Sequence, residues 1–390
     1  MKKPIIFLFL ILFTFMFIVP ANYCGITRAA NVADEISKSE ITSKSALLLD
    51  YNSGTVIFEK DADKRLPIAS MTKLASLSII FDAISKGLVK ENDIVVVSEE
   101  AASVGGSSAF LDAGSSYKLT DLIKTVVVAS ANDSTVALAE HVAGSEDMFV
   151  SKMNRLAANL NLNNTHFANC TGLPTSNHYS SAKDMAQIYR TVCNNPIYIK
   201  YSKIWMDDFI HPSGRKTGLV NTNRLVKTYE GVEGGKTGYT DLAKYCLTAS
   251  AKRGNLRLIG VVIGANDSKV RFSEMSKLFN YGFSNYTNKL VVNSELPLSK
   301  VLMKHSKNEI DVYPERDSFM FMQKGDARTF RAELQLAENL KAPKAAGEKV
   351  GRVYVFDQNN IVVDEFDAII KKDAQEEKFI DQFKKLINVW

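Results

Sequence analysis

Strand-like apolar runs lie at both ends of a long region whose middle has a helical pattern, and this order restricts the fold more than any other feature. Residues 46–50 and 55–58 predict one β-hairpin, and residues 245–249 and 256–263 predict another. Because the two hairpins come from opposite ends of the region, we expect one antiparallel sheet built from both. The pattern predicts an α+β fold in which a helical cluster covers this sheet.

Helical segments fill the interval between the hairpins and follow the second one. Residues 69–88 and 148–160 carry apolar residues on a helical period. Residues 118–143 predict two helices separated by the polar segment 130–134, and residues 270–281 predict a closing helix. We therefore expect one α+β domain over residues 35–284.

The pattern changes after about residue 285, where short alternating runs are separated by turn signals. These runs are residues 290–292, 310–313, 319–322, 352–356 and 361–363. Short strands at this spacing are typical of a small all-β domain, which we place at residues 286–372.

The last fifteen residues, 376–390, predict an amphipathic helix. Its apolar face consists of Phe379, Ile380, Phe383, Leu386, Ile387 and Trp390. Because aromatic residues on one face and lysines beside them suit a membrane interface, we predict that this helix binds a membrane surface. Docking on the chain's own β-domain is the alternative.

The N-terminus has the pattern of an export signal. Lys2 and Lys3 precede a 15-residue apolar run, residues 5–19, that is broken only by Thr14. This run is shorter than the roughly 20 residues of a membrane-spanning helix and suits a signal peptide, which we place at residues 1–30. An uncleaved anchor is the alternative, and either places the remainder outside the cytoplasm.

Charge and cysteine usage exclude several classes of protein. Residues 1–30 carry three basic residues and no acidic one, so the formal net charge of +5 falls to +2 without them. No nucleic-acid footprint remains. Cys170, Cys193 and Cys246 are irregularly spaced, so we expect no metal site and at least one unpaired thiol.

Ser70-Met71-Thr72-Lys73 places a serine three residues before a lysine at the start of a predicted helix. On one helix face the two side chains come within hydrogen-bond reach, and a neutral lysine can take the proton of a serine nucleophile. Backbone N–H groups at the helix start can also hold an oxyanion. Three other pairs share the spacing but none opens a long apolar helix: Ser115/Lys118, Ser180/Lys183 and Ser213/Lys216.

Two further segments carry residues suited to binding. Ser130-Ala131-Asn132 lies in the polar break between two helices, where helix capping is the competing explanation. Lys236-Thr237-Gly238 offers a cation and a hydroxyl to a carboxylate, and its glycine allows close approach of a ligand. A second copy, Lys216-Thr217-Gly218, has a turn-like context and is interpreted as a surface loop.

Together, the three elements in this order resemble those of the low-molecular-mass penicillin-binding proteins, the serine D-alanyl-D-alanine carboxypeptidases. The likeness runs from about Ser45 to the C-terminus and includes longer runs than the motifs. These runs are residues 67–73, 129–133, 165–167, 171–173, 178–186 and 232–240. The resemblance implies a β-lactamase/transpeptidase-like domain, followed by a small all-β domain and a terminal amphipathic helix.

The resemblance also implies a role for each residue that would take part in the chemistry. Ser70 would be the acylated nucleophile, and Lys73 would be its general base. Ser130 would relay a proton to the leaving D-alanine. The backbone N–H groups of Ser70 and Tyr239 would form the oxyanion hole.

Substrate binding is implied for a second set of residues. Asn132 would bind the substrate's peptide backbone, Lys236 and Thr237 would hold its terminal carboxylate, and Gly238 would allow close approach. The implied partners are peptidoglycan stem peptides and, as covalent inhibitors, β-lactams; no cofactor is implied.

Two positions depart from the family's pattern. Tyr239 stands where several relatives have histidine, and because only its backbone is needed we expect altered rates without loss of activity. Lys244 stands where relatives commonly have glycine.

Other functions remain open on the residues alone. A class A β-lactamase needs a glutamate for deacylation, and none of Glu140, Glu146, Glu230 and Glu233 lies in a recognisable loop of that kind. A non-catalytic cell-wall-binding protein is a further alternative. A Ser-His-Asp triad is also compatible with spacing, but we interpret His178 and Asp184 as ordering a loop near the site.

Overall fold

The computed structural model describes residues 38–377. The predicted export signal lies outside these residues, as do residues 378–390 of the predicted amphipathic helix. Within the described residues, no helix is both long enough and apolar enough to span a membrane.

Nine strands precede residue 266, and five of them form the main sheet. In chain order they are β1 (Ser45–Asp50), β2 (Val56–Lys60), β3 (Ile94–Val96), β4 (Ser116–Lys118), β5 (Met206–Ile210), β6 (Lys216–Val220), β7 (Val232–Thr240), β8 (Lys244–Arg253) and β9 (Leu256–Ala265). The main sheet is antiparallel in the order β2-β1-β9-β8-β7. Strands from both ends of the region therefore pair, as predicted from the two hairpins.

Helices cover both faces of this sheet. They are α1 (Lys73–Ser85), α2 (Glu99–Ser103), α3 (Leu119–Ala129), α4 (Asn132–Ala143), α5 (Glu146–Asn159), α6 (Ala182–Val192), α7 (Pro196–Ser202), α8 (Leu225–Thr228) and α9 (Ser268–Asn285). Leu47 and Leu49 of β1 pack into the larger helical cluster, whereas Ala46 and Leu48 pack in the core that includes α9. Because both faces of β1 are buried, its sequence is a continuous apolar run.

The structure corrects three details of the predicted elements. The helix expected over 69–88 begins as the 3₁₀ turn Ala69–Thr72 and becomes α1 only at Lys73. The break between α3 and α4 is confined to residues 130–131. The surface loop predicted at 216–218 is wrong, because these residues belong to β6, which pairs with β5. Phe209 of β5 and Leu219 of β6 are buried and anchor this hairpin to the core. Most of their neighbours are exposed, so the sequence shows no alternation of apolar and polar residues here.

A second set of sheets follows α9. Its strands are β10 (Tyr286–Val292), β11 (Ser299–Val301), β12 (Ile310–Pro314), β13 (Ser318–Gln323), β14 (Phe330–Leu336), β15 (Lys349–Asp357) and β16 (Val362–Ile370). They form a five-stranded sheet, β11-β12-β16-β15-β14, and the pair β10-β13. This C-terminal region has a separate buried core, which includes Val312, Val353 and Ile370. The predicted small all-β unit is confirmed.

Candidate active site

Ser70 and Lys73 meet where the 3₁₀ turn passes into α1. Lys73 Nζ donates to Ser70 Oγ at 3.0 Å and to the backbone oxygen of Thr171 at 2.7 Å. Lys73 is fully buried, and this burial lowers its pKa to about 7 against the opposing effects of Cys170 and Asp133. A substantial fraction of Lys73 is therefore neutral near pH 7 and able to accept a proton.

Ser130 ends α3 with a left-handed backbone, at φ 67°. This conformation turns the chain sharply, and Ser130 Oγ accepts a hydrogen bond from Lys236 Nζ at 2.7 Å. Ala131 occupies the N-cap position of α4 without a side-chain cap. The capping explanation for this segment therefore fails, and its side chains are available to the site.

Asn132 presents an unused acceptor. Its Nδ2 donates to the backbone oxygen of Gly105 at 2.6 Å, whereas its Oδ1 is buried and has no hydrogen-bond partner among residues 38–377. Because buried polar atoms are normally paired, this oxygen is suited to an N–H group that arrives with a ligand.

Lys236 is a second fully buried lysine, on β7. Besides Ser130 Oγ, its Nζ reaches the backbone oxygen of Thr237 at 3.0 Å. Burial, followed by the positive charges of Lys73 and Arg271, lowers the pKa of Lys236 well below its usual value. In the part of the chain described by the structure, no carboxylate forms an ion pair with Lys236. The site is therefore suited to an incoming anion.

Gly238 lets β7 pass directly against the nucleophile. A Cβ at this position would lie 2.5 Å from the Ile68 carbonyl oxygen and 3.2 Å from the Ser70 nitrogen. Only glycine permits this approach, which places the following residue, Tyr239, on the strand segment next to Ser70.

The two departures from the family pattern have different structural settings. The Tyr239 side chain is half exposed, and its hydroxyl donates to Asp241 Oδ1 at 2.9 Å. Its ring packs against the Tyr245 ring in a tilted arrangement, with 4.5 Å between the centroids. Lys244 is the first residue of β8 and has φ 57°. A left-handed backbone favours glycine, which explains why glycine suits this position.

Sequence reasoning missed Arg271 near the site, and it placed His178 near the site with the wrong partner. Arg271 of α9 donates from Nη1 to the backbone oxygens of Gly238 (3.2 Å) and Cys246 (3.3 Å). His178 does not pair with Asp184; it hydrogen-bonds Thr72, two residues from Ser70. Neither contact has a local sequence signal, because each joins residues more than 20 positions apart.

The remaining expectations concern cysteines and metals. Cys170, Cys193 and Cys246 are all buried free thiols, as the prediction of at least one unpaired thiol requires. The described residues contain no group of three or more His, Cys, Asp or Glu side chains arranged for a metal.

The fold and this site define a serine hydrolase of the β-lactamase/transpeptidase class. The family model of the D-alanyl-D-alanine carboxypeptidases, peptidase S11, matches residues 31–267, and that of the penicillin-binding protein 5 C-terminal domain matches residues 286–376. The chain therefore belongs to the S11 family of serine D-alanyl-D-alanine carboxypeptidases, which confirms the resemblance drawn from the motifs.

Individual relatives agree over most of their length. The chain is 38% identical to the D-alanyl-D-alanine carboxypeptidase DacF of Bacillus subtilis, covering 89% of this chain and 90% of that protein. It is 33% identical to DacA of Escherichia coli K12, covering 90% and 89%. The crystal structure of penicillin binding protein 5 from Haemophilus influenzae superposes with a TM-score of 0.66 at 32% identity, covering 86% of this chain and 98% of that one.

Proposed function

We propose that this chain removes the terminal D-alanine from peptidoglycan stem peptides through an acyl-enzyme on Ser70. The observation that carries the proposal is the contact of Lys73 Nζ with Ser70 Oγ, in a site where Lys236 is buried without a carboxylate partner among the described residues. Family membership supports the reaction, and the geometry supports the assignment of roles.

Acylation begins when neutral Lys73 takes the proton of Ser70. The freed Oγ attacks the carbonyl carbon of the penultimate residue. The resulting oxyanion accepts hydrogen bonds from the backbone N–H groups of Ser70 and Tyr239. Ser130 relays the proton taken by Lys73 to the departing amine, which returns Lys73 to its neutral form, and the hydrogen bond from Lys236 Nζ holds the Ser130 hydroxyl in place. D-Alanine leaves, and water then hydrolyses the ester on Ser70.

Carboxylate recognition explains why the enzyme would act at a chain end. A C-terminal carboxylate of the substrate forms an ion pair with Lys236, which has no carboxylate partner among the described residues. The hydroxyl of Thr237 donates a further hydrogen bond to this carboxylate. An internal peptide bond presents no such charge, so it would leave Lys236 buried and unpaired. Asn132 Oδ1 accepts an N–H of the substrate backbone.

Three of the four glutamates considered for a β-lactamase make contacts elsewhere in the structure. Glu140 accepts from Ser98 Oγ at 3.0 Å, Glu146 accepts from the Cys170 N–H at 2.8 Å, and Glu233 pairs with Arg257 at 2.7 Å. None of these contacts reaches Ser70.

The test combines intact mass with product release. The protein incubated with a β-lactam should show a long-lived adduct on Ser70, and it should release D-alanine from a stem pentapeptide. Ser70→Ala should lose both. Rapid turnover of the adduct would identify a β-lactamase instead, and D-alanine release unchanged by Ser70→Ala would contradict the proposed nucleophile.

We further infer export and attachment to the outer face of the cytoplasmic membrane through residues 376–390. The signal-like residues 1–30 and the apolar stripe of the tail support this placement, with the catalytic domain at 35–284 and the β-domain at 286–372 between them. Deleting residues 379–390 should release the protein from membranes into the soluble fraction. Unchanged retention would refute attachment by the tail.

A further inference from the structure

A chain of hydrogen bonds, buried from His178 onward, ends on the carbonyl of Ala69, the residue before the nucleophile. The N–H of Ala168 donates to His178 Nδ1 at 3.1 Å. Because Nδ1 accepts, the neutral ring carries its proton on Nε2, which donates to Thr72 Oγ1 at 2.7 Å. The hydrogen of the Thr72 hydroxyl then goes to the Ala69 carbonyl oxygen at 2.8 Å.

The neutral state of His178 keeps this direction of donation fixed. Burial, with a smaller contribution from His166, lowers the pKa of His178 to about 4. The Phe167 ring packs edge-on at 5.8 Å from the imidazole. A protonated ring would lose the acceptor that Ala168 uses, so the chain of bonds persists at any pH where Lys73 is partly neutral.

Ala69 needs such support because its backbone is unfavourable. Its φ of 48° lies in the left-handed region, which a residue with a Cβ occupies only when surrounding contacts hold it there. Gly172 packs directly against the same carbonyl, since a Cβ on Gly172 would lie 2.0 Å from the Ala69 oxygen and 2.8 Å from Thr72 Oγ1. The Ala69 carbonyl is therefore confined by Thr72 and by the loop at Gly172.

The carbonyl of Ala69 and the N–H of Ser70 belong to one planar peptide unit. Because the unit is planar and trans, fixing the direction of the carbonyl also fixes the direction of the N–H. The Ser70 nitrogen lies beside β7, 3.2 Å from the position of a Cβ on Gly238. Its N–H is the proposed oxyanion donor.

We propose that His178 is a positioning residue for acyl transfer, which acts through Thr72 to hold the Ala69–Ser70 peptide unit with the Ser70 N–H directed at the developing oxyanion. This inference rests on the proposed role of Ser70. It assigns His178 no contact with substrate, and it separates the rate of acylation from carboxylate binding, which belongs to Lys236 and Thr237 on β7.

Two substitutions of His178 separate its two hydrogen bonds. His178→Gln keeps a donor near the Nε2 position and loses the acceptor for Ala168. His178→Asn keeps an acceptor near the Nδ1 position and loses the donor to Thr72. We expect His178→Asn to lower kcat for D-alanine release and the acylation rate by about 10- to 100-fold, below the loss for outright removal of an oxyanion donor. KM should stay within about twofold, and His178→Gln should recover most of kcat.

Thr72 supplies a matched pair of controls. Thr72→Val should reproduce the kcat loss of His178→Asn, and Thr72→Ser should restore it. The double variant Thr72→Val/His178→Asn should be no slower than Thr72→Val, because both changes break the same chain. The concentration of active sites is measured by titration with a β-lactam, and rates are divided by it. This removes the contribution of unfolded protein to any apparent loss of rate.

Several results would overturn the inference. An unchanged kcat in His178→Asn would do so. Equal losses of kcat in His178→Gln and His178→Asn would do so as well, because loss of the hydrogen bond to Thr72 would then cost no more than loss of the one from Ala168. Additive losses in the double variant would also refute it. Failure of the wild-type protein to form a Ser70 adduct or to release D-alanine would instead contradict the proposed function itself.

Discussion

The pH dependence of Ser70 acylation tests the central chemical assignment. If Lys73 is the general base, the second-order acylation rate by a β-lactam follows the neutral fraction of Lys73. Burial lowers the pKa of this lysine to about 7. The rate should therefore rise about tenfold per pH unit below pH 6 and level off above pH 8.

The magnitude follows from the titration curve. With a pKa of about 7, the neutral fraction is about 9% at pH 6 and about 91% at pH 8, so the rate should increase about tenfold between them. A lysine at its ordinary pKa of 10.5 would be neutral in only about 0.03% of molecules at pH 7. Burial thus raises the reactive fraction by more than about a thousandfold.

The same shift has a cost in folding stability. The unfolded chain binds a proton at Lys73 up to pH 10.5, whereas the folded chain releases it near pH 7. The free energy of unfolding should therefore rise as the pH increases from about 7 to 10.5. At pH 7, burial of Lys73 lowers this free energy by on the order of 5 kcal/mol. Lys73→Met should remove the contribution of Lys73 to this dependence and raise the melting temperature at pH 7 while abolishing acylation.

Stopped-flow acylation between pH 5 and pH 9 measures the profile, with circular dichroism at each pH to show that the protein stays folded. Lys73→Arg is the matched control, because it keeps the charge but does not deprotonate and should show no acylation at any pH. A rate independent of pH, or one still rising with an apparent pKa above 9, would refute Lys73 as the base.

Two further predictions concern backbone positions around the site. Gly238→Ala should lower the acylation rate by about 100-fold in a folded protein, because its Cβ would meet the Ile68 carbonyl oxygen at 2.5 Å and push β7 away from Ser70; an unchanged rate would show that this close approach is not needed. Lys244→Gly should raise the free energy of unfolding by about 0.5–1 kcal/mol, measured by urea denaturation, because it relieves the left-handed backbone at φ 57°. A loss of stability would contradict that account.

The sequence carries much of the fold in local patterns. The runs that became β1, β2, β8 and β9 are apolar because both faces of the central strands are buried. The hairpin β5-β6 was missed because only Phe209 and Leu219 are buried among exposed neighbours. A strand with one buried residue in five has no periodicity to detect.

The site shows the same division between local and long-range information. Ser70 and Lys73 could be paired by helical spacing, and the motif order brought Ser130 and Lys236 together although they lie 106 residues apart. The contact of His178 with Thr72 also spans 106 residues, yet it belongs to no motif and required the fold. What sequence reasoning cannot supply is which distant polar group satisfies a particular buried atom.

The two buried lysines of the site must be in opposite protonation states during catalysis. Lys73 must be neutral to act as a base, whereas Lys236 must be charged to hold a carboxylate. Each lysine's charge disfavours the other's, and in the free protein burial lowers the pKa of both. An arriving carboxylate supplies the missing negative charge beside Lys236, so protonation of Lys236 becomes favourable when substrate is bound. The renewed positive charge on Lys236 in turn opposes protonation of Lys73, which keeps the base neutral. Substrate binding therefore completes the electrostatics of catalysis, and a peptide without a free carboxylate would fail to do so even where it fits.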